Sequence, residues 1–446
     1  LANQLLPVKT IDTSMIHEFE TEFEKWCQAL CSKLSLKPPK IGIHLNYSLV
    51  AENDDTIVSN PLRPVGFDLA TIKGRKEIAN NHIDQTTFYD FKLPKGVNYM
   101  TGEIIEVLPE NPPEITDKVI EALKLNPTQV YTLISNDSTH DTFIPEKVSI
   151  RQLFSQYLDL NGLPSRALAR AFLEVANSEG FDILAKMLDV NNSEYSKQYI
   201  SDINIAEFIC EFVKYGIPNI EVLVSSCPHI QPRQYMIASS PNRHSNIARL
   251  MIITRKFGVN NKRKGLCTHY LMREDVPVRI VHGSFKMPDK GTTPIVLIAV
   301  GCGIAPMLSI IQNRTPQNGS AILAYASTTS ENHKDIFDII AHEKELGTIN
   351  DVLYAMAKED NSEEDNHNDL LLQSCEKLKT TLLENKATMW KYWENNRSVF
   401  YYCGIPGKII DELKQIMLKI TIEEGGLSIE EAMAICDRHP FYSDAF

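Results

Sequence analysis

The residues best equipped for chemistry form the run Arg233-Gln234-Tyr235-Met236-Ile237-Ala238-Ser239-Ser240, followed by Pro241. In an extended strand alternate side chains share a face, so Arg233 and Tyr235 point the same way. A guanidinium presents a planar fork of donors that suits a diphosphate. The tyrosine offers a ring for stacking on a flat heterocycle and a hydroxyl for a sugar. Ser239 and Ser240 can bond the same ligand or cap the turn that Pro241 opens. An ordinary edge strand with a surface arginine carries the same pattern, so the run needs company. One further stretch is Lys262-Arg263-Lys264-Gly265-Leu266-Cys267-Thr268, leading into His269-Tyr270-Leu271. A glycine entering a helix, with a threonine hydroxyl and free backbone N–H groups, suits a diphosphate, although a basic surface turn reads alike. The other is Gly301-Cys302-Gly303-Ile304-Ala305-Pro306-Met307, where glycines permit close backbone approach and a helix then begins.

These groups need elements to hold them. PIVLIAV (294–300) is a continuous apolar strand of the kind buried in a parallel sheet, and it runs straight into Gly301. AILAYA (321–326), DVLYAM (351–356) and SVFYYCG (398–404) repeat the strand–helix unit and point to an α/β domain. Their order in the sheet stays open. The acidic stretch Glu359–Asp369 reads as a solvated loop, and Phe441–Phe446 as a frayed tail.

Upstream, residues 14–35 alternate charged and apolar residues at helical spacing, with Phe19, Phe23, Trp26 and Leu30 on one stripe. That helix must rest on the following domain or on a partner, and Lys37-Pro38-Pro39 stops it. From Ile41 to Pro109 short strands are expected in IGIHLNYSLVA, TTFYDFKLP and VNYMTGEIIEVLP, with a turn at Thr101-Gly102, as in half of an antiparallel barrel. Residues 114–231 switch to helical periodicity, best at 115–125, 150–158, 166–177, 180–188 and 203–215. Strand character returns at 234–238 and 248–254, so a helical block interrupts a barrel.

Length and charge narrow the class. A chain of 446 residues holds two or three domains, each able to bury a core. A formal net charge of −12 argues against nucleic acid as partner and fits docking to a basic one. No apolar run reaches the roughly 18–20 residues of a membrane span. Nine scattered cysteines without CxxC spacing predict free thiols in a reducing, cytoplasmic compartment, with Cys27 and Cys31 facing a core, and no metal site.

Taken together, RQYMIASS, GLCT, GCGIAPM, YYCG and the terminal DAF resemble the diflavin reductase family over roughly residues 41–446, in the same order. That family includes the cytochrome P450 reductases, the sulfite reductase flavoprotein and methionine synthase reductase. The resemblance implies a multidomain α+β and α/β protein: a ferredoxin-reductase-like antiparallel FAD barrel with a helical insert, plus an NADP-binding parallel-sheet α/β domain. It places an end-of-FMN-domain helix and linker at 1–40, the barrel at 41–113 and 232–290, the helical connecting domain at 114–231 and the NAD(P)-binding domain at 291–446. By the same resemblance, the rest of an FMN domain is not expected within these residues.

Carried over residue by residue, the resemblance gives Arg233, Tyr235, Met236 and Ser239 to FAD, with Gly265, Cys267 and Thr268 completing the diphosphate grip. Gly301, Gly303 and Pro306 form the nicotinamide-nucleotide loop. Cys403 and Asp444 stand beside the flavin and nicotinamide, where they assist hydride transfer. Several positions depart from the pattern: Met236 replaces a serine, Phe446 a terminal tryptophan, Ala357-Lys358 the Ser-Arg pair for the 2′-phosphate, and Thr328 an arginine. The implied function is an FAD oxidoreductase using NADPH, or NADH, and passing electrons to an FMN domain or protein acceptor. The alternative is a reductase-fold binding subunit impaired in turnover.

Overall fold

The computed structural model describes residues 16–37, 41–53, 66–80, 84–136, 144–190, 203–244, 246–257, 263–328, 334–357, 367–394 and 397–445. The chain divides into two units: 1–62, 109–231 and 257–270 form one, and 63–108, 232–256 and 271–446 the other.

The first unit contains the expected helical block. Pro113–Ala122, Arg166–Leu173, Ser178–Leu188 and Ile205–Phe212 follow the apolar periodicity, and Ile150–Gln152 runs on into a π turn at Leu153–Tyr157. Reciprocal capping boxes, Ser149 with Gln152 and Asn204 with Glu207, decide where two of these helices start. Val130–Ser135 and Lys147–Ser149 are strands inside this block, and Val130–Ser135 pairs with Tyr47–Ala51. The first strand expected of the barrel therefore belongs to this unit instead. The reason is local: Tyr47, 2 % exposed, packs into the helical core, and the Leu49 N–H donates to Glu221 Oε1 at 2.8 Å.

The helix Ile16–Lys33 forms as expected but turns a different face inward. Phe23 is 48 % exposed, whereas Thr21 and Glu24 are buried. Glu24 accepts both prongs of the Arg166 fork at 2.9 Å, and Glu20 accepts the Arg166 backbone N–H at 2.9 Å. Charge pairing with the start of the Arg166–Leu173 helix, rather than an aromatic stripe, sets the orientation. Cys27 and Cys31 are only half-buried on this helix.

In the second unit, strands Arg233–Met236, Ile104–Val107, Asp275–Val281, Asp68–Asn80, Asp84–Lys92 and Ile247–Phe257 follow one another in an antiparallel sheet. Ile237 bridges Leu250 and the Ala238 N–H donates to the Arg249 carbonyl at 2.7 Å. The chain leaving Arg233–Met236 thus meets Ile247–Phe257, and the sheet closes into a barrel. Asp68–Asn80 carries no clean alternation, because register shifts at Ile72/Gly74 and Glu77/Ala79 bulge it.

A five-stranded parallel sheet follows, in the order Asp351–Ala357, Ala321–Thr328, Ile295–Val300, Val399–Gly404, Phe441–Ala445. Ile295, Leu297 and Ala299 pack on one side with Leu308 and Ile336, and Val296, Ile298 and Val300 on the other with Leu378 and Trp393. Both faces are covered, which is why the strand is apolar throughout; each such side chain contributes about 1.5–3 kcal/mol on burial. The first of these cores continues into the barrel through Ala238, Met251 and Phe285. Arg243 adds a bidentate pair to the buried Glu343, at 2.7 and 2.9 Å. The C-terminus is not the frayed tail expected. Phe441–Ala445 completes the sheet edge, with Phe441 stacked on Phe400 and Tyr442 on Tyr401. Among the described residues, no helix is long and apolar enough to cross a membrane. Most of the acidic stretch lies outside the described residues.

Candidate functional site

Parallel register builds the site. Ala299 pairs with Cys403, so Gly301 and Gly303, just past the end of the Ile295–Val300 strand, lie beside the Cys403 strand end. Cys403 in turn pairs with Asp444. Gly301 has φ +57, a left-handed conformation that glycine adopts without strain, and it turns the chain into the helix Ile304–Gln312. Gly303 packs so tightly that a Cβ would stand 2.0 Å from the Cys403 carbonyl oxygen.

Around this junction lies a cavity of ≈ 340 Å³. The barrel contributes Ile104, Tyr235, Met236, Met251 and Ile253, and the parallel-sheet part contributes Cys302, Ala305, Pro306 and Asp444. Its size lies in the small-molecule range, and a mostly apolar lining with a few polar groups suits a flat heterocyclic ring. The residues present therefore fit a flavin.

Met236 meets Cys403 directly, the thiol donating to the Met236 thioether at 3.5 Å. Burial pushes the Cys403 thiol well above its ordinary value, with Cys302 and Asp444 adding to the effect. The group therefore stays a neutral S–H donor near neutral pH, not a thiolate nucleophile. Asp444 accepts a hydrogen bond from the Ser284 hydroxyl at 2.8 Å.

The other expected residues fare differently. Arg233 and Tyr235 lie on the barrel strand paired with Ile104–Val107, Tyr235 at the cavity and Arg233 half-buried outside its lining. Ser239 is a correction: it is 2 % exposed, and its hydroxyl sits 2.8 Å from the Tyr99 hydroxyl while accepting the Arg249 N–H at 2.9 Å. Its hydroxyl is engaged in closing the barrel. Ser240 accepts the Asn242 N–H at 3.2 Å and so takes the turn-capping role. Gly265, Cys267 and Thr268 belong to the first unit, at a one-turn helix Leu266–Tyr270 in which Cys267 is buried. Lys358 and Phe446 lie outside the described residues.

Six cavity residues, Ile104, Gln234, Met251, Ile253, Cys302 and Ala305, and one support were missed. Cys302 was legible as the middle residue of the Gly-Cys-Gly turn. Met251 and Ile253 read only as strand, and Ser284 carries no signal at all, being 160 residues from Asp444.

Residues 67–270 match the family described as FAD binding domain. The chain is 24 % identical over 483 residues to NADPH-dependent diflavin oxidoreductase 1 of Danio rerio, covering 98 % of this chain and 78 % of that protein. It is 24 % identical over 417 residues to NADPH–cytochrome P450 reductase of Dictyostelium discoideum, covering 85 % of this chain and 60 % of that protein. For the Drosophila melanogaster NADPH–cytochrome P450 reductase the identity is 24 % over 361 residues, spanning 76 % of this chain and about half, 51 %, of the relative.

Proposed function

Because the chain is similar to diflavin reductases along most of its length and carries a match to the FAD binding domain, we propose that it is an NAD(P)H-dependent oxidoreductase built around FAD. When bound, FAD would supply the redox chemistry between NADPH and an FMN domain or a redox-protein acceptor. One observation supports the reading above the others: Cys302 of the Gly301–Gly303 turn and Asp444 line a single cavity with Tyr235 and Met236, and the Cys403 thiol meets that cavity wall through Met236.

The residues divide the work. Arg233 binds the diphosphate and Tyr235 the flavin side, with the apolar Ile104, Met251 and Ile253 excluding water. Asp444 sets a carboxylate at the cavity wall, opposite the positive charge that a nicotinamide ring gains as its hydride leaves. Cys403 keeps its proton and orients through it.

Purified protein should be yellow, and its flavin absorbance should bleach within seconds when NADPH is added without oxygen. A yellow protein indifferent to both NADPH and NADH would instead be a binding subunit that kept the fold. Met236→Ser tests the departure at this position. It replaces the thioether that accepts the Cys403 S–H hydrogen bond with a hydroxyl that can donate, and one gained hydrogen bond of about 1 kcal/mol predicts roughly fivefold faster reduction. An equal or slower stopped-flow rate would remove the missing hydroxyl as a limit on this site.

A further inference from the structure

We propose that Ser284 is a positioning residue for Asp444, a role that rests on the oxidoreductase reading above. Its hydroxyl donates to Asp444 Oδ2 at 2.8 Å. Met236 occupies the strand position expected to supply a hydroxyl, and methionine has no O–H to donate. The hydroxyl that meets this carboxylate comes from the other side, out of the segment after the Asp275–Val281 barrel strand.

What makes Ser284 more than a passing surface contact is how its neighbours are anchored. On one side Gly283 lies against the Gly102 turn, so close that a Cβ there would stand 2.0 Å from the Gly102 carbonyl oxygen. On the other, Phe285 is buried and its ring meets Tyr401 edge-on, with centroids 5.4 Å apart. The Tyr401 hydroxyl then donates to the Lys286 carbonyl at 2.7 Å. Tyr401 sits on the same strand as Cys403, and its ring stacks on Tyr442, its register partner two residues before Asp444. The 283–286 segment is therefore fastened to both strands that carry the candidate groups. Ser284 holds one oxygen of the carboxylate, and so helps to fix its rotamer relative to Cys403.

The test combines two readouts. In flavin-free protein, amide hydrogen exchange across 441–445 should quicken in Ser284→Ala and return to the wild-type pattern in Ser284→Thr. In an Asp444→Ala background, Ser284→Ala should add nothing, because the two changes remove the same bond. In flavin-loaded protein, Ser284→Ala should lower the limiting rate of flavin reduction about tenfold, with the NADPH concentration for half-maximal rate unchanged and Ser284→Thr restoring it. A wild-type limiting rate in Ser284→Ala overturns the role whatever the exchange result. So does additive loss in the double variant. A wild-type protein that holds flavin yet reduces it with neither nucleotide overturns the oxidoreductase reading instead, and the exchange cycle still decides whether Ser284 holds Asp444.

Discussion

Gly303→Ala is expected to slow flavin reduction by at least about a hundredfold, because the added methyl has nowhere to go. Its Cβ would fall 2.0 Å from the Cys403 carbonyl oxygen, 2.4 Å from the carbonyl carbon and 3.0 Å from the Gly404 nitrogen. All three are backbone atoms of a fully buried central strand, so no side chain can swing aside. The turn itself must move, by about an ångström to restore ordinary contact, and displacements of that size at a reacting centre cost roughly 10²-fold. The same shift would separate Cys302 and Pro306 from Asp444 across the cavity. Stopped-flow reduction with NADPH reads the rate, and circular dichroism shows whether the sheet survives. A folded Gly303→Ala protein with wild-type rate would mean that this turn does not border the reacting centre.

Glu24→Ala carries the largest expected loss of stability, about 3–5 kcal/mol, localised in the first unit. Arg166 is 1 % exposed, and its Nη1 has no hydrogen-bond partner among the described residues, so Glu24 is the counter-charge that makes its burial tolerable. Removing the carboxylate leaves a guanidinium in the core; the bond from Arg170 to Glu24 goes with it. Replacing both partners by apolar residues of similar volume, Glu24→Leu with Arg166→Met, should recover most of the loss, since neither charge then needs compensation. Hydrogen exchange in 16–33 and 166–173 under mild urea measures it, and a single variant as protected as the wild type would show the pair to be idle. The pH dependence has a definite sign. Burial pulls the Glu24 carboxyl upward, but the bonds from Arg166 and Arg170 outweigh it and hold the group below the ordinary carboxylate value. A lowered folded-state pKa stabilises above the unfolded value of about 4.3 and is lost as pH falls through the folded one. The clamp on the Ile16–Lys33 helix should therefore hold at neutral pH and release only in acid.

Much of the architecture could be read without coordinates, for a reason visible in individual elements. PIVLIAV is apolar at every position because both of its faces are covered, and Arg166–Leu173 shows helical periodicity because one face is. Where partners are distant, the pattern misleads. Tyr47–Ala51 alternates like a barrel strand, yet it pairs with Val130–Ser135. Asp68–Asn80 hides behind its bulges. The helix Ile16–Lys33 advertises an aromatic stripe and buries a glutamate, because the matching arginine lies 142 residues away.

Residue types and local spacing determined the chemistry on offer: a guanidinium and a phenol on one strand face, a Gly-Cys-Gly turn after an apolar strand, a thiol and a carboxylate near the end of the chain. Only the tertiary structure decided which of them meet. The parallel register sets Cys403 against both Ala299 and Asp444, barrel closure withdraws Ser239, and an anchored segment brings Ser284 to Asp444. Side-chain periodicity records only whether a face is buried, whereas a hydrogen bond across 160 residues depends on how strands are shifted and turned, which no short stretch of chain encodes.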